Sequence, residues 1–298
     1  MIFFLRRLAA VSIQLLVLSM VLFLFFRLLP GDIYTSELGD PQVSRKSVEA
    51  LREAAGLKQS WPHRYGDWAA SCVRGDFGTS LAYGLPVSGL IIPRIRKTVE
   101  IAAPALLLAW LLGMGGGLLA VRFGWTAALD PGASTAAMLP DVIAVGLLLW
   151  MAVEAGIPIA GAWLPIAGLA FSLLPVVFLH ASGEIGRARK LEFVRIAESR
   201  GIGGARLWVH FILRAAANPL VSLAGLSIAA AIGSSFVVEV LTGWPGLGPL
   251  FLEAVQARDY PIVQTIVMML AAVLAFSNLA ADLALYRLDP RIRLPHET

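Results

Sequence analysis

An all-α membrane protein with six transmembrane helices is the fold class this sequence predicts, and three observations carry the prediction. Apolar runs of roughly 20 residues recur along the chain, long enough for a hydrocarbon core of about 30 Å. Only 15% of the 298 residues are charged and 58% are hydrophobic, where a soluble domain carries about 25% charged residues; mean hydropathy is +0.76. The arginines fall between the apolar runs and form no single basic face. The net charge of +4 therefore reads as membrane topology, with no nucleic acid as partner and lipid as the surrounding medium.

The first span is read at 8–26, with Arg6 and Arg7 before it and Pro30-Gly31 ending it. A charged start and an apolar core also suit a signal peptide. The run is long for one, and "RLLPGD" follows in place of a small-x-small cleavage site, so it is read as a retained helix. Residues 31–97 are polar and mixed, with a helical-looking piece, "SRKSVEALREAAGL". Further spans are expected at 98–121, 136–155, 162–182, 216–240 and 262–286. The chain thus divides into an N-terminal tip and first span (1–30), a loop region (31–97), a five-helix core (98–288) with a polar segment at 183–214, and a tail (289–298). Seven basic residues lie between Arg187 and Arg214, and Arg6, Arg7, Arg287, Arg291 and Arg293 flank the outermost spans. The segments 156–161 and 241–261 hold only Arg258. By the positive-inside rule both termini and the 183–214 segment are cytoplasmic, and the long 31–97 loop is extracytoplasmic.

The segment "RIAESRGIGGARLWVHFILRAA" is the most polar inter-span element of the core. Phe193, Ile196, Ala197 and Arg200 fall at i, i+3, i+4, i+7, which predicts a short helix with one mostly apolar face, and Arg195, Glu198 and Ser199 on the other side. Gly201 stands where such a helix would stop. A second helix, with Trp208, Phe211, Ile212 and Ala215 on one face, leads into span five. The pattern fits either an interfacial helix on anionic lipid or a docking helix for a cytoplasmic partner.

Several chemistries are absent from the motifs. There is no Gly-Lys pair and so no phosphate-binding loop; ATP, if it drives this protein, binds elsewhere. No His-Glu-x-x-His occurs. His180 and Ser182 stand two residues apart, a spacing that points them to different sides of a helix. Cys72 is the one cysteine, so neither an internal disulfide nor a thiolate cluster can form.

Ionisable residues inside spans are costly and draw attention. Glu154 and Asp282 lie near span ends, which suits a structural role. Asp141, after Pro140, is a candidate for the lining of a polar path, as are Ser234, Ser235 and Glu239. Glu239 equally suits pinning of the turn "LTGWPGLG" beside it. Trp244, Pro245, Gly246, Asp259 and Tyr260 form a candidate docking surface or gate, or a purely structural re-entrant corner. "GMGGG" at 113–117 predicts close helix packing.

Four stretches in order resemble one family along nearly the whole chain. These are "FFLRRLAAVSIQLLVLSMVLFLFFRLLPGD", "GDFGTSLAYGLPVSGLIIPRIRKTVEIAAPALLLAWLLG", "VVEVLTGWPGLGPLFLEAVQARDYPIVQ" and "NLAADLALYRLDPRIR". They resemble the B-type permease subunit of bacterial dipeptide/oligopeptide/nickel ABC importers. The resemblance implies the type I permease architecture and a place in the bacterial inner membrane as one half of the pore. It implies as partners a C-type permease, two ABC ATPases that hold ATP and magnesium, and an extracytoplasmic solute-binding protein; this chain would carry no cofactor, metal or catalytic residue. "FVRIAESRG" resembles the EAA-type coupling loop, which places Phe193, Arg195, Ile196, Ala197, Glu198, Arg200 and Gly201 against the ATPase. Ile196 and Glu198 depart from the threonine and basic residue common there, and Asp141-Val142 replaces an aromatic pair. The implied function is uptake of di- or oligopeptides by alternating access. Two alternatives stand beside it: the same architecture importing nickel or a metal–chelator complex, and a membrane scaffold with no transport role.

Overall fold

A computed structural model of the chain describes residues 2–28 and 61–288; the helical piece expected at 44–57 and the tail 289–298 lie outside the described residues. The helices are α1 (Ile2–Leu28), α2 (Trp61–Val73), α3 (Val87–Phe123), α4 (Thr126–Ala137), α5 (Asp141–Glu154), α6 (Trp163–Arg189), α7 (Glu192–Ser199) and α8 (Gly204–Leu207). A π-turn at Trp208–Ile212 joins α8 to α9 (Leu213–Thr242), and α10 (Leu247–Gln256) and α11 (Tyr260–Leu288) follow. Among the described residues the only β pairing is an isolated bridge between Thr79 and Pro86. Five helical units, α1, α3, α6, α8–α9 and α11, are long and apolar enough to cross a bilayer. The pair α4–α5 makes a sixth if it crosses as one broken span, bent by 100°.

Three boundaries differ from the sequence expectation. Span two was expected from 98, but α3 starts at Val87, so the last part of the 31–97 region is helix. Its 37 residues extend about 55 Å, and the excess over a bilayer core carries Arg94, Arg96, Lys97 and Glu100. Hydropathy marks where lipid begins and not where a helix does. Span three was expected as one helix at 136–155. Leu139-Pro140 breaks it instead, because the residue before a proline is pushed out of the helical region; Pro140 has ψ 141°. Asp141 then opens α5, where a carboxylate favours the positive end of the helix dipole. Span four was expected to end at 182, but α6 continues to Arg189 and takes the first residues of the 183–214 segment with it.

The helices pack in three tiers. At one end Val121, Ile185, Val194, Ala197, Leu207, Ile212 and Leu220 cluster. In the middle Ala105, Ala109, Val145, Leu169, Leu173 and Ala231 meet. At the other end Val87, Ile91, Leu247, Leu250, Ile262 and Ile266 close the bundle. The first and last spans are joined by Arg7 Nε and Asp282 Oδ2 at 3.2 Å, which fixes the interface-facing Asp282. Near the opposite end of α1, Ser19 Oγ and Tyr65 OH lie 2.9 Å apart, and Phe23 meets Tyr65 edge-on at 5.5 Å, which seats α2 on α1.

The most extensive helix contact is between α3 and α6, which run parallel. A Cβ on Gly113 would stand 2.8 Å from Val177 Cγ1, and one on Gly117 would stand 2.8 Å from Ala181 Cβ and 2.9 Å from Ser182 N. The two glycines let the backbones approach where a methyl would not fit, as small residues do in membrane helix pairs. Gly115 has nothing within 4 Å of its would-be Cβ. Gly117→Leu is therefore expected to destabilise the purified chain by about 1–3 kcal/mol through overpacking, while Gly115→Leu leaves its melting temperature unchanged. Equal melting of the two variants would contradict the assignment of this contact.

Candidate functional site

Two constellations stand at opposite ends of α9, whose 30 residues separate them by about 45 Å.

The first is α7. Leu191 turns the chain with an extended backbone (ψ 143°), Glu192 opens the helix, and Gly201 closes it at φ +80°. Gly201 N–H donates to Glu198 O at 2.9 Å and Ile202 N–H to Ala197 O at 3.0 Å. These are the two bonds of a Schellman stop, with Ile202 packed on the same cluster as Ala197. The expected face, however, is split. Val194 and Ala197 are buried, at 0% and 4% exposure, while Phe193 and Ile196 are exposed. Ala197 thus anchors α7 to its own bundle, against Val121 of α3, Ile185 of α6 and Ile212. Phe193, Ile196 and Arg200 form an outward stripe, with Arg195 and Glu198 exposed beside it. Arg195 and Glu198 also line a polar cavity of about 520 Å³ together with Asp130, Ser182 and Arg189. Arg189 Nη1 donates to Val121 O at 3.0 Å and lies over the Trp208 ring at 5.6 Å, so a cation closes the ends of α3 and α6 where carbonyls lack partners. Ser182 Oγ donates to Asp130 Oδ1 and Leu179 O, both at 3.2 Å. His180 Nδ1 donates to Val176 O at 2.8 Å. The two side chains thus turn to different partners.

The second constellation is the corner between α9 and α10. Glu239 is fully buried. Its Oε2 accepts the Gly248 N–H at 2.6 Å, at the first turn of α10, where a carboxylate serves both orphan donors and the helix dipole. Thr98 Oγ1 accepts the neighbouring Leu247 N–H at 3.0 Å. Trp244 Nε1 donates to Lys97 O at 2.9 Å, and Lys97 Nζ sits 5.2 Å from the centre of that ring. Gly246 has no room for a side chain, because a Cβ there would collide with the Glu239 carboxylate. Glu239 therefore pins the turn.

Asp259 is also fully buried and does for the 75–86 loop what Glu239 does for the corner. Its Oδ2 accepts Ser80 Oγ at 2.5 Å and Ala82 N–H at 3.1 Å. Tyr83 OH donates to Glu253 Oε2 at 2.9 Å, which, with some burial, raises the phenol above its usual pKa. Of the five candidate docking residues only Pro245 is exposed; Trp244 and Tyr260 are half-buried, and Gly246 and Asp259 are buried. Of the other path candidates, Ser235 is buried with its Oγ donating to Ile232 O at 2.8 Å, and Ser234 and Asp141 are half-buried. Ser235 stands one turn before Glu239 on α9 and adjoins its carboxylate, while Asp141 opens a different helix, α5. Sequence reasoning missed Val194, Ser80, Thr98 and Tyr83. The Ser80–Asp259 pair spans 179 positions, beyond any local signal. Among the described residues no three His, Cys, Asp or Glu side chains gather as a metal site. Cys72 carries a thiol pushed up to about 11 by burial, with Asp76 adding to it, so it stays protonated at neutral pH.

Removing the Glu239 carboxylate leaves the buried Gly248 N–H without an acceptor. Glu239→Ala is expected to cost about 1–3 kcal/mol, and Glu239→Gln less, since its amide oxygen still accepts. Gly246→Ala should be costly alone and markedly less so beside Glu239→Ala, because the colliding group is gone. Thermal melts of the four proteins check this; strictly additive losses would refute the contact.

Comparisons with known proteins agree with the geometry. The model of the family described as "Binding-protein-dependent transport system inner membrane component" matches residues 105–294, and its N-terminal companion matches 1–102. The chain is 29% identical to the "Probable peptide ABC transporter permease protein y4tP" of Sinorhizobium fredii (strain NBRC 101917 / NGR234), over 98% of this chain and 99% of that one. It is likewise 29% identical to the "Glutathione transport system permease protein GsiC" of Escherichia coli (strain K12), over 97% of each. A solved structure, "Crystal structure of an amino acid ABC transporter with histidines", shares the fold with a TM-score of 0.53 at 18% identity, covering 68% of this chain and 94% of its own. The helical arrangement is thus that of the type I permeases. The chain belongs to the binding-protein-dependent transport system inner membrane component family, and it is a multi-pass permease subunit of an ABC importer.

Proposed function

We propose that this permease imports di- or oligopeptides as one half of a heteromeric pore. Its named relatives, one a probable peptide permease and one a glutathione permease, support that cargo. A second, C-type permease completes the pore, two ABC ATPases bind and hydrolyse ATP with magnesium, and an extracytoplasmic binding protein delivers the peptide. The chain itself performs no catalysis. Both termini and α7 face the cytoplasm, in keeping with the basic residues that flank them.

The observation that carries the mechanism is the division of labour on α7. Val194 and Ala197 hold it to the core, and Phe193, Ile196 and Arg200 look outward. A helix fixed on one side and apolar on the other is a lever with a free handle. The ATPase groove takes the handle, and closure of the ATPases on ATP moves α7 together with the ends of α3, α6 and α9. The spans then rock, and the path opens to the binding protein. The π-helical turn at Trp208–Ile212 lies where that motion enters α9, and such turns are frequent at functional sites. Pro245 and the 75–86 loop present the surface that receives the binding protein.

Phe193→Asp with Ile196→Asp places two charges on the handle and none in the core. ATPase subunits should be lost from the purified assembly, with the melting of the permease itself unchanged; full retention would overturn the docking reading. Ala197→Asp, in contrast, buries a charge inside the bundle and should unfold it. The cargo is tested with the complete transporter in proteoliposomes with its binding protein. Labelled di- and tripeptides should accumulate with ATP and displace one another, and ATP-driven accumulation of another solute class without peptide would contradict the proposal.

A further inference from the structure

A trough of about 480 Å³ runs between α1 and α11 at the corner end of the bundle. Its volume falls in the range of ordinary ligand pockets, and its wall is graded. At the outer rim stand Arg258 and Tyr260, with Phe26 of α1 against the Tyr260 ring at 5.3 Å. Further in come Val263 and Val267, about one and two turns down α11, and Leu22, one turn deeper on α1 than Phe26. The trough therefore starts with a guanidinium and aromatic rings at the depth of the membrane interface and continues as hydrocarbon alone. Arg258 is exposed and is the one non-glycine residue with positive φ (55°) among the described residues. Glycine or asparagine takes that conformation more readily than arginine, so Arg258→Gly suits the backbone at this position.

We infer that this trough is a phospholipid site. One acyl chain lies along Leu22, Val263 and Val267, and the lipid phosphate accepts hydrogen bonds from the Arg258 guanidinium, whose planar fork suits phosphate oxygens. Aromatic side chains at the rim match the headgroup level, where their amphipathic rings settle. The occupant holds the otherwise lightly packed α1 against α11 on the side away from the Arg7–Asp282 pair. The inference is independent of the cargo.

The test uses the complete transporter in nanodiscs that contain phosphatidylglycerol with a photoreactive acyl chain, and matched diacylglycerol that lacks the phosphate. After illumination, labelled peptides are mapped by mass spectrometry. Phosphatidylglycerol should label Leu22, Val263 and Val267 more densely than the exposed α1 residues Ile13 and Leu16, and diacylglycerol should not. Arg258→Gly keeps the backbone conformation and removes the guanidinium; it should lower trough labelling roughly tenfold, the scale of a charged hydrogen bond, with the assembly intact. Equal labelling of the trough and of Ile13 and Leu16, labelling indifferent to Arg258→Gly, or an unlabelled trough that cross-links to residues 29–60 would each overturn the inference, the last by showing that the chain fills the trough itself.

Discussion

The parallel contact of α3 and α6 is the constraint on which the rest of the bundle depends. Hydrocarbon supplies no drive for helices to leave lipid, so helices in a bilayer associate through close approach and dispersion. Gly113 and Gly117 provide that approach along one face of α3. Because the two helices run parallel, they end together, and their ends form a floor of Val121, Ile185 and Ala188. The floor is where Val194 and Ala197 of α7 sit. A wider α3–α6 spacing would leave α7 without a seat, and its outward stripe would have nothing rigid behind it.

The other end of the molecule is held by a different force. There the chain reverses direction between α9 and α11, and backbone donors are buried that water cannot reach. Buried carboxylates and hydroxyls take them up: Glu239 and Thr98 at the start of α10, and Asp259 at the start of α11. Thr98 and Asp259 also join elements far apart in sequence, and Glu239 ties α9 to α10, so the 75–86 loop, α3, α9 and α11 are linked at this end. An apolar seat with an exposed handle at one end and a polar, pinned corner at the other suit a subunit that is pushed from one side and presents a fixed face on the other. The full length of α9 connects them.

Much of this was legible in the sequence, for identifiable reasons. The stop at Gly201 was readable because a left-handed residue after an amphipathic octet favours glycine, and the close packing at 113–117 because clustered glycines in an apolar run have few other uses. The family could be read because four specific stretches occur in order. The orientation of α7 was not legible. Val194 and Phe193 are neighbours of similar character, and periodicity shows that a helix has an apolar side without saying which part of that side meets the protein's own core. The break at Pro140 was not legible in a span expected to run unbroken from 136 to 155, since proline permits either a bend or a break and tertiary packing decides. Glu239 was left between two roles, because the partner that settles the question is a backbone N–H, which every residue except proline carries. Asp259 was left between a docking or gating role and a structural corner for a related reason: its partner, Ser80, lies at a distance no local pattern can encode.

The central claim is that α7 is a rigid extension of the membrane bundle, not a hinged appendage to it. The most direct measurement is a distance between spin labels at Arg122 and Glu198, one at the end of α3 and the other on α7, by double electron–electron resonance. Both side chains are exposed, and the one native cysteine, Cys72, is first replaced by serine. The complete transporter is measured without nucleotide and again with ATP trapped in closed ATPases. One narrow distance distribution, the same in both states, is expected. A distribution that shifts or broadens on closure would mean that α7 swings free of its seat, and the lever described here would be wrong.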